Sequence, residues 1–501
     1  LKRRDLILIS VAFASVLFYV LAAHLAGGVG FPLDDSWIHQ VYGRNLGTRL
    51  EWAFIPGVPS AASTSFLFTV LLGIGSALHV PIFLWTYGSG ALGLAAIGLI
   101  AARMAEWLQP DQPRIGLWIG LITVTSWHLV WASAAGMETI LFGAFTLALI
   151  SLTWRRQQVE LTTARAEIQD GALFGLVGAL ATLTRPEGAV LVALCGGAIA
   201  LVHPQKDRRQ WLVWGISAGL VFLLVMSPYL VLNVQLTGGL LPNTSAAKQA
   251  EAAQLLAAPF PIRIWNMIYP LIAGGQLILF PGFIVALAGL RKLHKPLWWV
   301  AVLWPVVLIL LYAWRLPAPY QHGRYVIPAL APYFVLAGVG TLRLVNRRYF
   351  RPMQRVLVRV VAGLALILLP GFYVLGASLY ATDVQSINGE MVEAAHWIAE
   401  NIPPDKLFAT HDIGAIGYFA PRSLFDLAGL VSPEVVPIIT DWTELTKLME
   451  QRGVGYLMVS DEQSPFPPKD PRLCQLFETA GRPSPLHMKV YRIAWDGRCT
   501  P

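Results

Sequence analysis

Phe31-Pro32-Leu33-Asp34-Asp35-Ser36-Trp37-Ile38-His39-Gln40-Val41-Tyr42-Gly43-Arg44-Asn45-Leu46 is the stretch on which the reading turns. Two adjacent carboxylates open it, and either Asp34 or Asp35 suits a helix N-cap. Trp37, Ile38, Val41, Tyr42 and Leu46 then recur at helical spacing, which predicts an amphipathic helix on a membrane surface with its polar start turned toward protein. Immediately before it, roughly residues 5–26 are apolar for the length of a bilayer span. Lys2-Arg3-Arg4 ahead of that run resembles the start of a signal peptide, but the run is long for one and many apolar segments follow.

Those segments set the class. The 501 residues are 55% hydrophobic and only 13% charged, with mean hydropathy +0.57, which excludes an ordinary soluble globule. Spanning stretches fall at roughly 5–26, 82–104, 115–134, 138–154, 211–235, 264–290, 297–314, 325–342 and 356–378. Shorter pieces at 171–184 and 187–202 are split by Thr184-Arg185-Pro186-Glu187-Gly188, and 63–80 is apolar but rich in small residues.

Charge decides how many of these cross. Counting all twelve from a cytoplasmic N-terminus puts Arg155-Arg156, Arg291-Lys292 and the Arg343–Arg359 cluster outside, against the positive-inside rule. If 63–80 dips into the outer leaflet without crossing, every basic cluster becomes cytoplasmic. Eleven crossings are therefore expected, with residues 1–379 a polytopic all-α membrane domain of multi-pass type. The compositionally soluble tail, 380–501, then lies on the extracytoplasmic face. The net charge of +8 reflects this inner-loop bias and attraction to lipid headgroups, and does not point to nucleic acid.

The tail reads as a small α/β domain. A helix is expected over 390–401, strands near 406–410, 423–427, 455–460 and 487–494, and a second helix at 442–452. Of three cysteines, Cys195 lies in an apolar helix as a packing residue, while Cys474 and Cys499 share the tail. Spacing does not decide whether those two pair, and no Cys/His zinc spacing occurs.

Unusual polar residues concentrate on the outer loops. Adjacent Asp34 and Asp35 repel each other, which suits a general base or oxygen ligands for a divalent cation. His39 follows Asp35 by one helical turn, so Asp34, Asp35 and His39 are the candidate ligands if a metal is held; a solvated N-cap pair is the bland reading. Glu138 begins a helix, and Arg185 and Glu187 interrupt an apolar region, where ionisable groups usually face a cavity. Lys248, with Pro242-Asn243 just before it, and His322 with Arg324 are isolated cationic spots that could neutralise a lipid phosphate.

Motif order resembles the GT-C superfamily of integral-membrane glycosyltransferases. The likeness is greatest to the arabinofuranosyltransferase-like branch of bacterial envelope enzymes, and more distant to the protein O-mannosyltransferase and aminoarabinose-transferase group. It is carried by Leu33 to Leu46 (including Arg44 and Asn45), Gly136-Met137-Glu138-Thr139, Thr184 to Gly188, Leu241-Pro242-Asn243-Thr244 and Gly323 to Pro328. In the tail it is carried by Thr410 to Tyr418 and Asp426 to Leu430. The resemblance implies inverting transfer of a sugar from a polyprenyl-phosphate donor to an envelope glycan, lipid or protein. Metal dependence varies among its members, and one carboxylate of the first-loop pair acts as base. A tail this compact departs from the best-known arabinosyltransferases and leaves the sugar open.

Other classes make different demands. A lipid-linked-sugar flippase would place ionisable groups near the bilayer midplane and show internal repeats. A membrane-anchored binding protein would leave the placement of Arg185, Glu187 and the acidic pair unexplained. A phospholipid-headgroup transferase would want a soluble catalytic domain richer in His and Asp.

Overall fold

The computed structural model describes residues 2–499 apart from 160, 162, 203–207, 241–243, 347–350, 482–486 and 498. All eleven expected spans are helical. Seven described helices are long and apolar enough to cross a membrane, or eight if the bent pair Ile115–Val124 and Trp127–Ala134 is one span. The remaining three are Thr139–Arg156, Ala164–Thr184 and Gly188–Val202, which are more polar or shorter. The chain is a multi-pass, mostly helical membrane protein with a small sheet domain at its C-terminal end.

Three helices differ from expectation for local reasons. Residues 264–290 are not one rod: Phe260–Ile272 stops, and Phe280–Leu293 restarts after Gly275, whose φ of +74° ends a right-handed helix at no steric cost. The 115–134 segment bends by 56° between Val124 and Trp127. Asp34–Arg49 forms the expected helix, but Ser36 to Gly43 are buried without a break, so it is enclosed by protein on all sides rather than amphipathic. Its neighbours are the Phe66–Ala77 helix and the tail.

The Ala164–Thr184 helix ends because Arg185 precedes Pro186 and is extended (φ −151°, ψ 136°), as the residue before proline prefers. A tight turn then returns the chain, with Gly188 N donating to Arg185 O at 2.9 Å. That break exposes Arg185 and Glu187 inside the helical assembly.

In the tail, β3 (Phe408–Thr410), β4 (Leu424–Asp426), β5 (Tyr456–Val459), β6 (Leu473–Glu478) and β7 (Lys489–Ile493) form one sheet ordered β4-β3-β5-β7-β6. A two-stranded ribbon of β1 (Ala53–Ile55) and β2 (Val58–Pro59) precedes it in the chain. The parallel trio β4-β3-β5 is the expected βαβ order, while β5-β7-β6 is antiparallel. Edge strand β6 escaped the sequence because Leu473-Cys474-Gln475-Leu476-Phe477-Glu478 has no in/out alternation, and Cys474 in it is disulfide-bonded to Cys499. The helix over 352–387 runs through a π-turn at Asn388–Val392 into Glu393–Asn401, so a continuous helical run carries the chain into the tail. Cys195 is buried and free, as expected.

Aromatic packing seats the tail on the membrane domain. Trp37 lies 5.0 Å from the Tyr418 ring and 4.7 Å from Phe419. Burying one such side chain contributes roughly 1.5–3 kcal/mol.

Candidate functional site

Asp34 and Asp35 occupy the first turn of the same helix and point to different partners. Asp34 accepts from the backbone N–H of Gly414 (2.6 Å) and Ala415 (2.8 Å), which begin the short Gly414–Phe419 helix. Arg44 donates to the carbonyls of Gly417 (3.1 Å) and Tyr418 (2.9 Å) at the other end of that helix. Negative charge at the amino end and positive at the carboxyl end both match the helix dipole. The approach is so close that a Cβ on Gly414 would lie 2.1 Å from the Asp34 carbonyl oxygen, so only glycine fits. Burial, then repulsion from Asp412, pushes the Asp34 carboxyl up to about 7 despite those amide bonds.

Asp35 faces the other way. Its Oδ2 accepts from Arg324 Nη2 and lies 3.5 Å from Lys248 Nζ. Burial alone would raise this carboxyl, but the Lys248 and Arg324 charges outweigh it and hold it well below the carboxylate range. Lys248 is shifted upward: burial lowers it, and Asp35 and Tyr325 more than compensate.

A cavity of about 330 Å³ lies beside Asp35. His39, Glu138, Arg185, Glu187, Lys248 and Arg324 all line it, so seven sequence-selected residues, Asp35 included, meet there. Arg185 donates to Glu138 Oε1 (2.7 Å), Glu187 Oε2 (3.3 Å) and the Tyr312 hydroxyl (2.5 Å). His39 Nε2 sits 3.4 Å from Glu138 Oε2. Ile38, Met137, Val190, Leu311 and Leu316 give the cavity an apolar flank. The Arg324 side chain is 3% exposed, and its Nε and Nη1 have no partner among the described residues.

Tyr312 and Tyr325 were not singled out from sequence, yet they stack at 5.2 Å in the wall. Arg185, Arg324 and Lys248 lie 5.3, 4.9 and 6.0 Å from the Tyr325 ring centre, a cation–π arrangement on one phenol. Tyr325 directly follows Arg324, a signal the motif offered; Tyr312 sits in an apolar helix and offered none.

Other selected residues lie apart. His322 does not line the cavity: its Nε2 is 2.8 Å from Asp383 Oδ2, which also accepts from Trp131 Nε1. Gln321, His322 and Gly323 are all left-handed (φ 55°, 56° and 69°), a strained run that leads directly into Arg324. Arg44 contacts the tail, and Asn243 lies outside the described residues. The metal reading of Asp34, Asp35 and His39 does not fit: the three carry separate partners (amides, cations and Glu138). Among the described residues no three His, Cys, Asp or Glu side chains group to hold a metal.

A second cavity of about 120 Å³ adjoins the first. Asp34, Glu251, Tyr320, Gln321, His411 and Asp412 line it, and Asp35, Lys248 and Arg324 border both cavities. Burial lowers the His411 imidazole, but its bond to Asp412 and the charges of Asp412 and Glu251 carry it up to about 9.

A family profile described as a domain of unknown function (DUF8728) matches residues 378–494. None of the curated proteins matches by sequence. Among solved structures, ArnT from Cupriavidus metallidurans in the apo state is similar with TM-score 0.64 at 13% identity, covering 97% of this chain and 98% of that one. The Archaeoglobus fulgidus oligosaccharyltransferase gives 0.61 at 11% identity over 90% of this chain and 69% of its own. Arabinofuranosyltransferase AftD from Mycobacteria gives 0.51 at 14% identity, over 99% of this chain but 40% of that longer one. The chain has the GT-C fold of integral-membrane glycosyltransferases.

Proposed function

We propose that the chain transfers a sugar from a polyprenyl-phosphate donor to an acceptor on the extracytoplasmic face, with Asp35 as general base. The observation that carries this is the position of Asp35, bordering both cavities and touching two cations that also border both. Arg324, with unpartnered donors, and Lys248 would hold the donor phosphate, and the apolar flank of the larger cavity would take the start of the lipid. ArnT has been solved with undecaprenyl phosphate, and the archaeal enzyme AglB with an inhibitory peptide and a dolichol-phosphate, which supports a ligand of this kind.

In the reaction the acceptor O–H gives its proton to the Asp35 carboxylate while its oxygen bonds the sugar C1. The C1–O bond to phosphate breaks, and the polyprenyl phosphate leaves with the electron pair. Arg324 and Lys248 stabilise the charge growing on it, and a single displacement inverts the anomeric centre. Once the cations engage phosphate, they release part of their hold on Asp35, which raises its basicity when donor is present. Arg185, satisfied by Glu138, Glu187 and Tyr312, shapes the wall. His39 and Glu138 extend that network, while Asp34 and Arg44 hold the tail.

We assign residues 1–379 to the transferase domain and 380–501 to the extracytoplasmic domain. Orientation is supported by basic groups at the far ends of the helices. Arg4 pairs with Asp5 and Glu106, and Arg343 donates to Leu108 O, at the end away from Asp35.

The test is Asp35→Asn placed in the host chromosome. A polyprenyl-monophosphate sugar should accumulate in lipid extracts, and one sugar should disappear from an envelope glycan, lipid or protein. A normal lipid-linked pool with normal envelope composition would defeat the assignment.

A further inference from the structure

We propose that the smaller cavity is the acceptor subsite and that it takes a neutral, hydroxyl-rich group, a sugar unit of a glycan. This rests on the transfer reading above and adds the acceptor's side of approach, its chemistry and a role for the tail.

The two cavities share a wall that includes Asp35, Ile38, Arg324 and Leu430. A group in the smaller cavity therefore reaches the same Asp35 carboxylate that borders the larger cavity, so acceptor hydroxyl and donor sugar can meet at one base. The rest of its lining differs from the donor side. Glu251, Tyr320, Gln321, His411 and Asp412 are carboxylates, an amide, a phenol and an imidazole, side chains that exchange hydrogen bonds with sugar hydroxyls. Arg324, almost fully buried with two unpartnered nitrogens, closes the side toward the donor.

Sheet topology explains why such a pocket forms here. In the order β4-β3-β5 the chain leaves β3 to one side and returns on the other, so the loops beyond its carboxyl end part and open a crevice. His411-Asp412 follows β3 directly. Gln463, beyond β5, fixes the pair from across the gap, its Nε2 3.0 Å from Asp412 Oδ2 and 3.1 Å from His411 Nδ1. The Asp34 bonds to Gly414 and Ala415 press this edge of the sheet against the membrane domain.

Charge narrows the ligand. Asp34, Asp35, Glu251 and Asp412 face Lys248, Arg324 and His411 across the pocket, and most of these charges are already paired: Lys248 and Arg324 with Asp35, and His411 with Glu251 and Asp412. A neutral, hydroxyl-rich group finds both donors and acceptors there without displacing an ion pair, whereas an anionic acceptor would have to break the pairs that hold the cations.

Full-length Asp412→Asn, Glu251→Gln and Ala428→Leu variants test this; Ala428 lines the pocket, and the leucine fills it without removing a charge. Each is compared with wild type for undecaprenyl phosphate binding in nanodiscs and for accumulation of lipid-linked sugar in cells. Binding should stay within about twofold while transfer falls at least about tenfold. Loss of undecaprenyl phosphate binding in variants that remain monodisperse would assign the pocket to the donor, and normal transfer in all three would remove its role. The product linkage tests the chemistry: a bond to a glycan hydroxyl is expected, and one to a phosphate or a Ser/Thr side chain overturns it. If Asp35→Asn leaves transfer intact, the transfer reading itself fails, which is a separate result.

Discussion

Replacing Asp35 with asparagine should strengthen phosphate binding while abolishing transfer. In the resting protein the Asp35 carboxylate neutralises the two cations assigned to the donor: it contacts Arg324 and lies 3.5 Å from Lys248. At an effective dielectric constant of about 20, unit charges about 4 Å apart interact by about 4 kcal/mol. The carboxylate is 29% exposed, so solvent removes much of that, leaving about 1.5 kcal/mol as the cost of competition with an incoming phosphate. Asparagine keeps the shape and can still accept from Arg324. Undecaprenyl phosphate should therefore bind the variant roughly tenfold more tightly, a factor equivalent to about 1.4 kcal/mol. Transfer should fall about 10²–10⁴-fold through loss of the base. Titration of purified protein in nanodiscs at fixed salt gives the first number, and turnover of the lipid-linked sugar pool gives the second. Weaker binding in Asp35→Asn would refute the competition, and transfer within threefold of wild type would refute the base assignment.

Asp34→Ala removes the acceptor of two backbone amides and should destabilise docking of the tail by about 2 kcal/mol, read as faster proteolysis between the domains, with undecaprenyl phosphate affinity little changed. Gly414→Ala should do the same more severely, because the added Cβ meets backbone rather than a movable side chain. Arg185→Lys cannot reproduce the fork to Glu138, Glu187 and Tyr312, and should cost about 2–4 kcal/mol in thermal unfolding. His411 is raised from 6.5 to about 9, so its ion pairs contribute fully below pH 6.5 and are lost as pH rises through 9. Wild type should lose more thermal stability than His411→Gln between pH 7 and 9, and parallel profiles would contradict the pairing.

Much of the architecture was legible in order, because hydropathy reports burial in lipid directly. The eleven apolar segments and the parallel part of the tail sheet each carry their own periodicity. Where segments break was harder to see: the bend after Val124 and the interruption near Gly275 depend on packing against neighbours. Edge strand β6 lacked alternation because neither face is consistently buried.

At the site, sequence alone picked out Asp35, His39, Glu138, Arg185, Glu187, Lys248 and Arg324, because a charge flanked by apolar residues is costly unless it faces a cavity or a partner. Residue type cannot say which charge meets which, since the partners are up to 289 residues apart, as Arg324 is from Asp35. Tertiary structure separated the twin carboxylates: the tail's helix claims Asp34 through backbone amides, leaving Asp35 between the two cavities. It also moved His322 and Arg44 out of the cavity wall and brought in Tyr312 and Tyr325. Adjacent residues on a helix point about 100° apart, so identical neighbours acquire different surroundings only when other elements close around them.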